Sequence, residues 1–264
     1  VGVFLEAAID NIMLYRDLEQ INTKLESYNI ELEREVQERT RDIAISNEQL
    51  KEEKHKSDQL LLNILPEEIA NELKRDGKSQ AKLYDNLSVL FTDFVNFTSY
   101  AESLSPGELV AELDHCFRAF DDIVHKYDIE KIKTIGDAYL CTGGIAEHRS
   151  QIKEVIMAAL EMRNFMTNYN DECRKLGKQG MDIRLGIHLG PAIAGVVGSK
   201  KFAFDIWGDT VNIASRMESH GIPGKINVSG DVFNACKDDF AFEYRGKMQV
   251  KNKGEIDMYF VEPK

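Results

Sequence analysis

Apolar and aromatic residues at Leu14, Leu18, Ile21, Leu25, Tyr28 and Leu32 are separated by alternating steps of four and three. On a helix that spacing draws one seam, the pattern of a coiled coil. From Leu32 the next apolar residue is Val36, a second consecutive step of four that interrupts the heptad as a stutter does. Val36, Ile43 and Leu50 then recur every seven residues, but the seam positions between them are Arg39 and Ser46. The predicted element is a helical rod over residues 1–60, which lack proline and are dense in Glu, Lys, Arg, Gln and Leu. Two nearly equal registers would let a pair of such helices pass on a rotation or register shift. Beyond it, Pro66 opens a short helix with Glu67 and Glu68 near its positive end, and Gly77 closes it. Residues 61–83 therefore read as a linker between the rod and a folded domain over 84–264.

From Tyr84 the period changes. The run Leu87–Asp93 alternates as a strand, and Leu109, Val110, Leu113, Phe117, Phe120 and Val124 form a helical stripe between Pro106 and Lys126. Ile129–Gly144 reads as a β-hairpin with Gly136-Asp137 as its two-residue turn. A second amphipathic helix covers about Ser150–Leu176, followed by a strand over Asp182–Leu189 in which Ile183, Leu185, Ile187 and Leu189 alternate with Arg184, Gly186 and His188. Strand, helix, strand, strand, helix, strand is the ferredoxin-like βαββαβ order, so the fold class is α+β with an N-terminal long helix. Phe204–Met217 reads as an informative loop running into a helix begun by Gly208, Asp209 and Thr210. Further strands are expected near Phe240–Arg245 and Ile256–Val261.

Composition narrows the function. A net charge of −12 and a pI near 5.1 argue against a general nucleic-acid binder, so any phosphate site must be local. Cys116, Cys141, Cys173 and Cys236 form no C-x-x-C pair, which leaves neither a zinc site nor a disulfide framework and fits a reducing cytoplasm. No apolar run approaches the roughly 20 residues that span a bilayer. The chain opens on Val, so an upstream sensor segment is expected, with membrane attachment of a longer protein left open.

Two carboxylates carry the candidate chemistry. Asp93 ends a strand at the parity of Leu87, Val89 and Phe91, and Asp137 sits at a hairpin tip. Each alone is an ordinary turn or cap residue. If they converge, they are hard oxygen ligands suited to Mg²⁺ that also holds substrate phosphates. Asn212 and Arg216, four apart, share a helix face able to grip a ribose and a phosphate.

Five motifs extend the picture: Phe91-Thr-Asp-Phe-Val-Asn-Phe-Thr98, Lys131-Ile-Lys-Thr-Ile-Gly-Asp137, Ile183-Arg-Leu-Gly-Ile-His188, Phe204 through Arg216, and Val250-Lys-Asn-Lys-Gly254. On these, residues 84–264 resemble the class III nucleotidyl cyclase catalytic domain, and Phe4–Tyr15 resembles the last helix of a GAF-type ligand-sensing domain. The resemblance implies a dimer with interfacial active sites that makes a cyclic nucleotide from a nucleoside triphosphate. Asp93, Asp137 and the Phe94 carbonyl would hold two Mg²⁺ or Mn²⁺ ions per site. Arg184 would contact phosphate, with Phe97 and Thr98 also at the substrate. Lys133 and Asp205 would read adenine, Asn212 would orient the ribose, Arg216 would stabilise charge at the α-phosphate, and Lys251 would contact the terminal phosphates. One chain holds both sets, which implies a homodimer with two sites.

Base choice follows as a donor and acceptor problem. Lys133 only donates, to a ring nitrogen of adenine, while Asp205 accepts from the exocyclic amine. Guanylyl cyclases of this family typically have Glu and Cys there, so ATP is the expected substrate and cyclic AMP the product. A guanylyl cyclase is the runner-up, and a non-catalytic dimeric signalling module the alternative outside enzymes. A diguanylate cyclase would need Gly-Gly-Asp/Glu-Glu-Phe where this chain has Ile-Gly-Asp-Ala. The chain departs from the family pattern Asp-Ile-x-Gly-Phe-Thr at Phe94 and Asn96. Asparagine is the best non-glycine for a left-handed turn, so the loop is expected to survive.

Overall fold

The computed structural model describes residues 2–145, 151–198, 201–250 and 254–264. They divide into two compact units, Val1–Asn63 and Ile64–Lys264. The first is one continuous helix, α1 (Gly2–Leu62). Leu14, Leu18, Ile21, Leu25, Tyr28 and Leu32 along it are all exposed in the single chain.

The second unit opens with α2 (Glu67–Asp76), entered through Pro66 and ended by Gly77 in the left-handed conformation at φ 69°. Ile69 and Ala70 of α2, with Leu65 before it, are buried. The strand ending at Asp93 is longer than its sequence pattern, β1 (Lys82–Phe94), and a short helix α3 (Phe97–Glu102) follows. Helix α4 (Pro106–Lys126) begins at the expected place for a local reason. Ser105 Oγ accepts from the Glu108 N–H, Glu108 Oε2 accepts from the Ser105 N–H, and Pro106 occupies the first turn. The hairpin is β2 (Glu130–Ile135) and β3 (Ala138–Gly143), closed by Ile135 opposite Ala138 with Gly136 at φ 63°. Then come α5 (Ile152–Lys175), β4 (Ile183–Val197), β5 (Ala203–Trp207), α6 (Asp209–Ser219), β6 (Ile226–Ser229), α7 (Gly230–Cys236), β7 (Ala241–Val250) and β8 (Gly254–Glu262).

The sheet runs β2-β3-β1-β4-β6-β8-β7, with β5 paired to the far half of β4. Its first four strands have the ferredoxin-like order. Alternation along β4 divides two faces: Ile183, Leu185 and Ile187 join Leu90, Phe120, Ile156 and Met162 in the main core. Gly186, on the opposite face, lies under α6, whose Ile213 and Met217 pack with Met248, Val250 and Met258.

Two local expectations are corrected. The segment at Phe204 is strand β5 rather than loop, because the second half of β4 extends past Leu189 to pair with it. Pro191 within β4 is tolerated because the ladder to β1 breaks opposite it, between Tyr84 and Leu87. Gly208, not Asp209 or Thr210, occupies the N-cap of α6; the Thr210 hydroxyl donates instead to the Pro191 carbonyl at 2.6 Å.

Candidate active site

Asp93 and Arg184 are direct cross-strand partners in the β1–β4 ladder, which puts both side chains on the α6 face. Arg184 Nη2 donates to Asp93 Oδ2 at 2.7 Å, and its Nε donates to Glu218 Oε1 at 2.8 Å. Burial works against the Arg184 charge, yet the hydrogen bonds and charges of Glu218 and Asp93 raise its pKa above the ordinary value. Burial raises the pKa of Glu218, Arg184 opposes that, and the charges of Asp93 and Asp137 add to it.

Asp137, at the hairpin tip, has converged on Asp93. Burial raises its pKa first and the Asp93 charge second, while backbone hydrogen bonds at residues 137 and 94 oppose the rise. Phe94 buries its ring against Phe97, Phe117 and Phe120, so only its backbone is left to face the carboxylates. Asn96 then takes the left-handed conformation at φ 58°, as expected of the residue replacing glycine. Phe97 and Thr98 begin α3, Phe97 half-buried and Thr98 exposed.

Two carboxylates that repel each other are a fitting pair of hard donors for Mg²⁺ or Mn²⁺, since a dication relieves the repulsion. Among the described residues no group of three or more His, Cys, Asp and Glu side chains is arranged to hold a metal. Remaining ligands would therefore be backbone carbonyl, water or substrate oxygens.

A bulge in β2 separates two lysines. Between Lys131 and Lys133 the register to β3 shifts, so two lysines that would share a face diverge. Lys131 Nζ reaches Asp121 on α4 at 2.7 Å, and the Tyr139 hydroxyl donates to the same carboxylate at 2.7 Å. Lys133 Nζ instead donates to Asp205 Oδ2 on β5 at 2.5 Å. Asn212 and Arg216 are both exposed on one face of α6. Lys251 lies outside the described residues.

Glu218 escaped the sequence reading. The signal was available: with Ile213, Ala214 and Met217 buried, it is the one carboxylate on the apolar stripe of α6. Gly186 is why it reaches Arg184. A Cβ there would stand 1.9 Å from the Glu218 backbone nitrogen, so α6 lies directly on β4.

Known proteins resemble this chain over most of its length. Residues 79–263 match the family model "Adenylate and Guanylate cyclase catalytic domain", and residues 16–73 match "Heme NO binding associated". An adenylate cyclase of Mycobacterium tuberculosis is 39% identical over 84% of this chain and 49% of its own length. The soluble guanylate cyclase subunit beta-2 of Rattus norvegicus is 36% identical over 88% of this chain and 34% of its own. The chain thus spans less than half the length of these curated relatives. Among solved structures, the catalytic core of a rhodopsin-guanylyl cyclase with converted specificity, in complex with ATPαS, superposes with a TM-score of 0.65. It is 32% identical, covering 70% of this chain and all of that one. With the βαββαβ sheet and the family match over residues 79–263, the chain belongs to the class III adenylate and guanylate cyclase family.

Proposed function

We propose that this cyclase uses ATP and releases 3′,5′-cyclic AMP and pyrophosphate. The observation that carries the reading is the Lys133–Asp205 pair. A donor-only and an acceptor-only group held together at 2.5 Å match the ring nitrogen and the amine of adenine. Guanine presents a carbonyl where adenine presents the amine, and Asp205 would repel it. The relatives include enzymes named for each nucleotide, so the base-reading pair, not family membership, supports ATP.

In the proposed mechanism Asp93 and Asp137 would hold the divalent cations, with the Phe94 carbonyl. Bound there, the cations would acidify the ribose 3′-hydroxyl and neutralise the triphosphate. Lys133 and Asp205 fix the base, Asn212 orients the ribose, and Arg184 and Lys251 bind phosphate oxygens. The 3′-oxygen attacks the α-phosphorus in line as the bond to pyrophosphate breaks, and Arg216 stabilises charge developing at that phosphorus. No protein nucleophile takes part.

A homodimer completes the site. Arg216 and Glu218 are two residues apart on α6, about 200° around the helix. Glu218 points to Arg184 and Asp93, so Arg216 faces away from its own carboxylates and serves those of a second copy. The exposed seam of α1 supplies a parallel coiled-coil contact for the same pairing.

Nucleotides without a 3′-hydroxyl test the base reading apart from turnover. Binding of 3′-deoxy-ATP at least tenfold tighter than 3′-deoxy-GTP is expected; equal or reversed binding would overturn it.

A further inference from the structure

Arg184 touches two carboxylates through different edges of one rigid guanidinium. Nη2 is on Asp93, and Nε is on Glu218. The two partners are held differently. Asp93 is a quarter exposed, whereas the Glu218 side chain is 9% exposed. The Glu218 backbone is also fixed, by the contact over Gly186 and by the neighbouring Met217 carbonyl, which accepts from Asn227 Nδ2 at 2.7 Å. Burying a carboxylate is costly unless a partner satisfies it, and a well-packed apolar residue would hold the helix as well.

We propose that Glu218 is a positioning residue: it anchors Arg184 by Nε so that the far end of the guanidinium exchanges Asp93 for substrate phosphate when Asp93 takes up a cation. Without nucleotide, Arg184 neutralises Asp93. A dication bound by Asp93 and Asp137 would repel the guanidinium, and the Glu218 anchor would let Nη2 swing without losing the side chain to solvent. The freed end would then be available to substrate phosphate. Without Glu218, Arg184 settles on Asp93 and competes with the metal. This inference rests on the reading of Asp93 and Asp137 as metal ligands.

Mn²⁺ binding to the full chain without nucleotide, followed by the loss of the free-ion EPR signal, tests it. Glu218→Gln should weaken binding about tenfold, and Arg184→Ala should tighten it. In the Arg184→Ala background, Glu218→Gln should change binding by less than about twofold, because the two residues act as one unit. An equal effect in both backgrounds, or none in the otherwise native chain, would overturn the role of Glu218 while leaving the metal reading intact. If the native chain binds no Mn²⁺, or Asp93→Asn binds it equally well, the metal reading fails and this inference with it. Should the glutamine variant not fold, Glu218→Asp, which retracts the anchor by one methylene, should weaken binding in the same direction.

Discussion

Lys133 and Asp205 are 72 residues apart in sequence, yet the Lys133 ammonium donates to the Asp205 carboxylate at 2.5 Å. The pairing depends on two backbone features, the bulge that turns Lys133 away from Lys131 and the pairing of β5 with the extension of β4. Asp205 also accepts from the Ile206 N–H through Oδ1 at 2.9 Å, which fixes its carboxylate, and on the proposed reading each group complements one edge of adenine. Exchanging them together, as Lys133→Glu with Asp205→Cys, should lower kcat/KM for ATP by about two orders of magnitude and raise it for GTP. Steady-state rates with both nucleotides measure this, and an unchanged preference would undo the base reading.

Gly186 couples the fold to the site. A methyl group at this position would meet the Glu218 backbone nitrogen at 1.9 Å and its Cα at 2.5 Å, so α6 would have to move with Asn212 and Arg216. Gly186→Ala should destabilise the catalytic unit by about 3 kcal/mol or more and reduce turnover beyond the loss of folded protein. Denaturant unfolding beside rate measurements on the folded fraction separates the two effects.

Glu262 at the end of β8 joins α5 and the approach to β6. It accepts from Arg163 Nη1 at 2.7 Å and from Lys225 Nζ at 3.1 Å. Burial raises its pKa, but the two cations outweigh burial and hold it below the usual value. A depressed carboxylate contributes stability that is present above the unfolded-state pKa and lost as pH falls through the folded one. Glu262→Gln should therefore melt below the native chain at neutral pH, with the gap closing once the medium is more acidic than the folded pKa. Thermal melts across that range check the sign.

The seam of α1 gives a separate test of assembly. Leu18 and Leu25 are about half exposed in the single chain. Replacing both by Glu should raise the dimer dissociation constant at least tenfold in sedimentation and make activity fall more steeply on dilution. Equal sedimentation would make the rod dispensable for pairing.

The parts of the site that were legible in the sequence are those fixed by local chemistry. Gly136-Asp137 needs a glycine at positive φ, and Asn96 is the non-glycine suited to its left-handed turn. The parts that escaped depend on distant partners. Strand β5 is a strand because β4 runs on beyond Pro191, and β6 is too short at Ile226–Ser229 to show a period. Glu218 stands out in the sequence as a carboxylate on the apolar stripe of α6, but its partner does not, because Arg184 lies on the strand beneath it, 34 residues away.

The central claim is tested most directly by turnover of the purified chain with ATP and with GTP, each in Mg²⁺ and in Mn²⁺, with the cyclic product identified. Cyclic AMP from ATP, with GTP used poorly, is the predicted result. Cyclic GMP as the main product would contradict the roles of Lys133 and Asp205 while keeping the metal site, and no product from either nucleotide would contradict the catalytic reading itself.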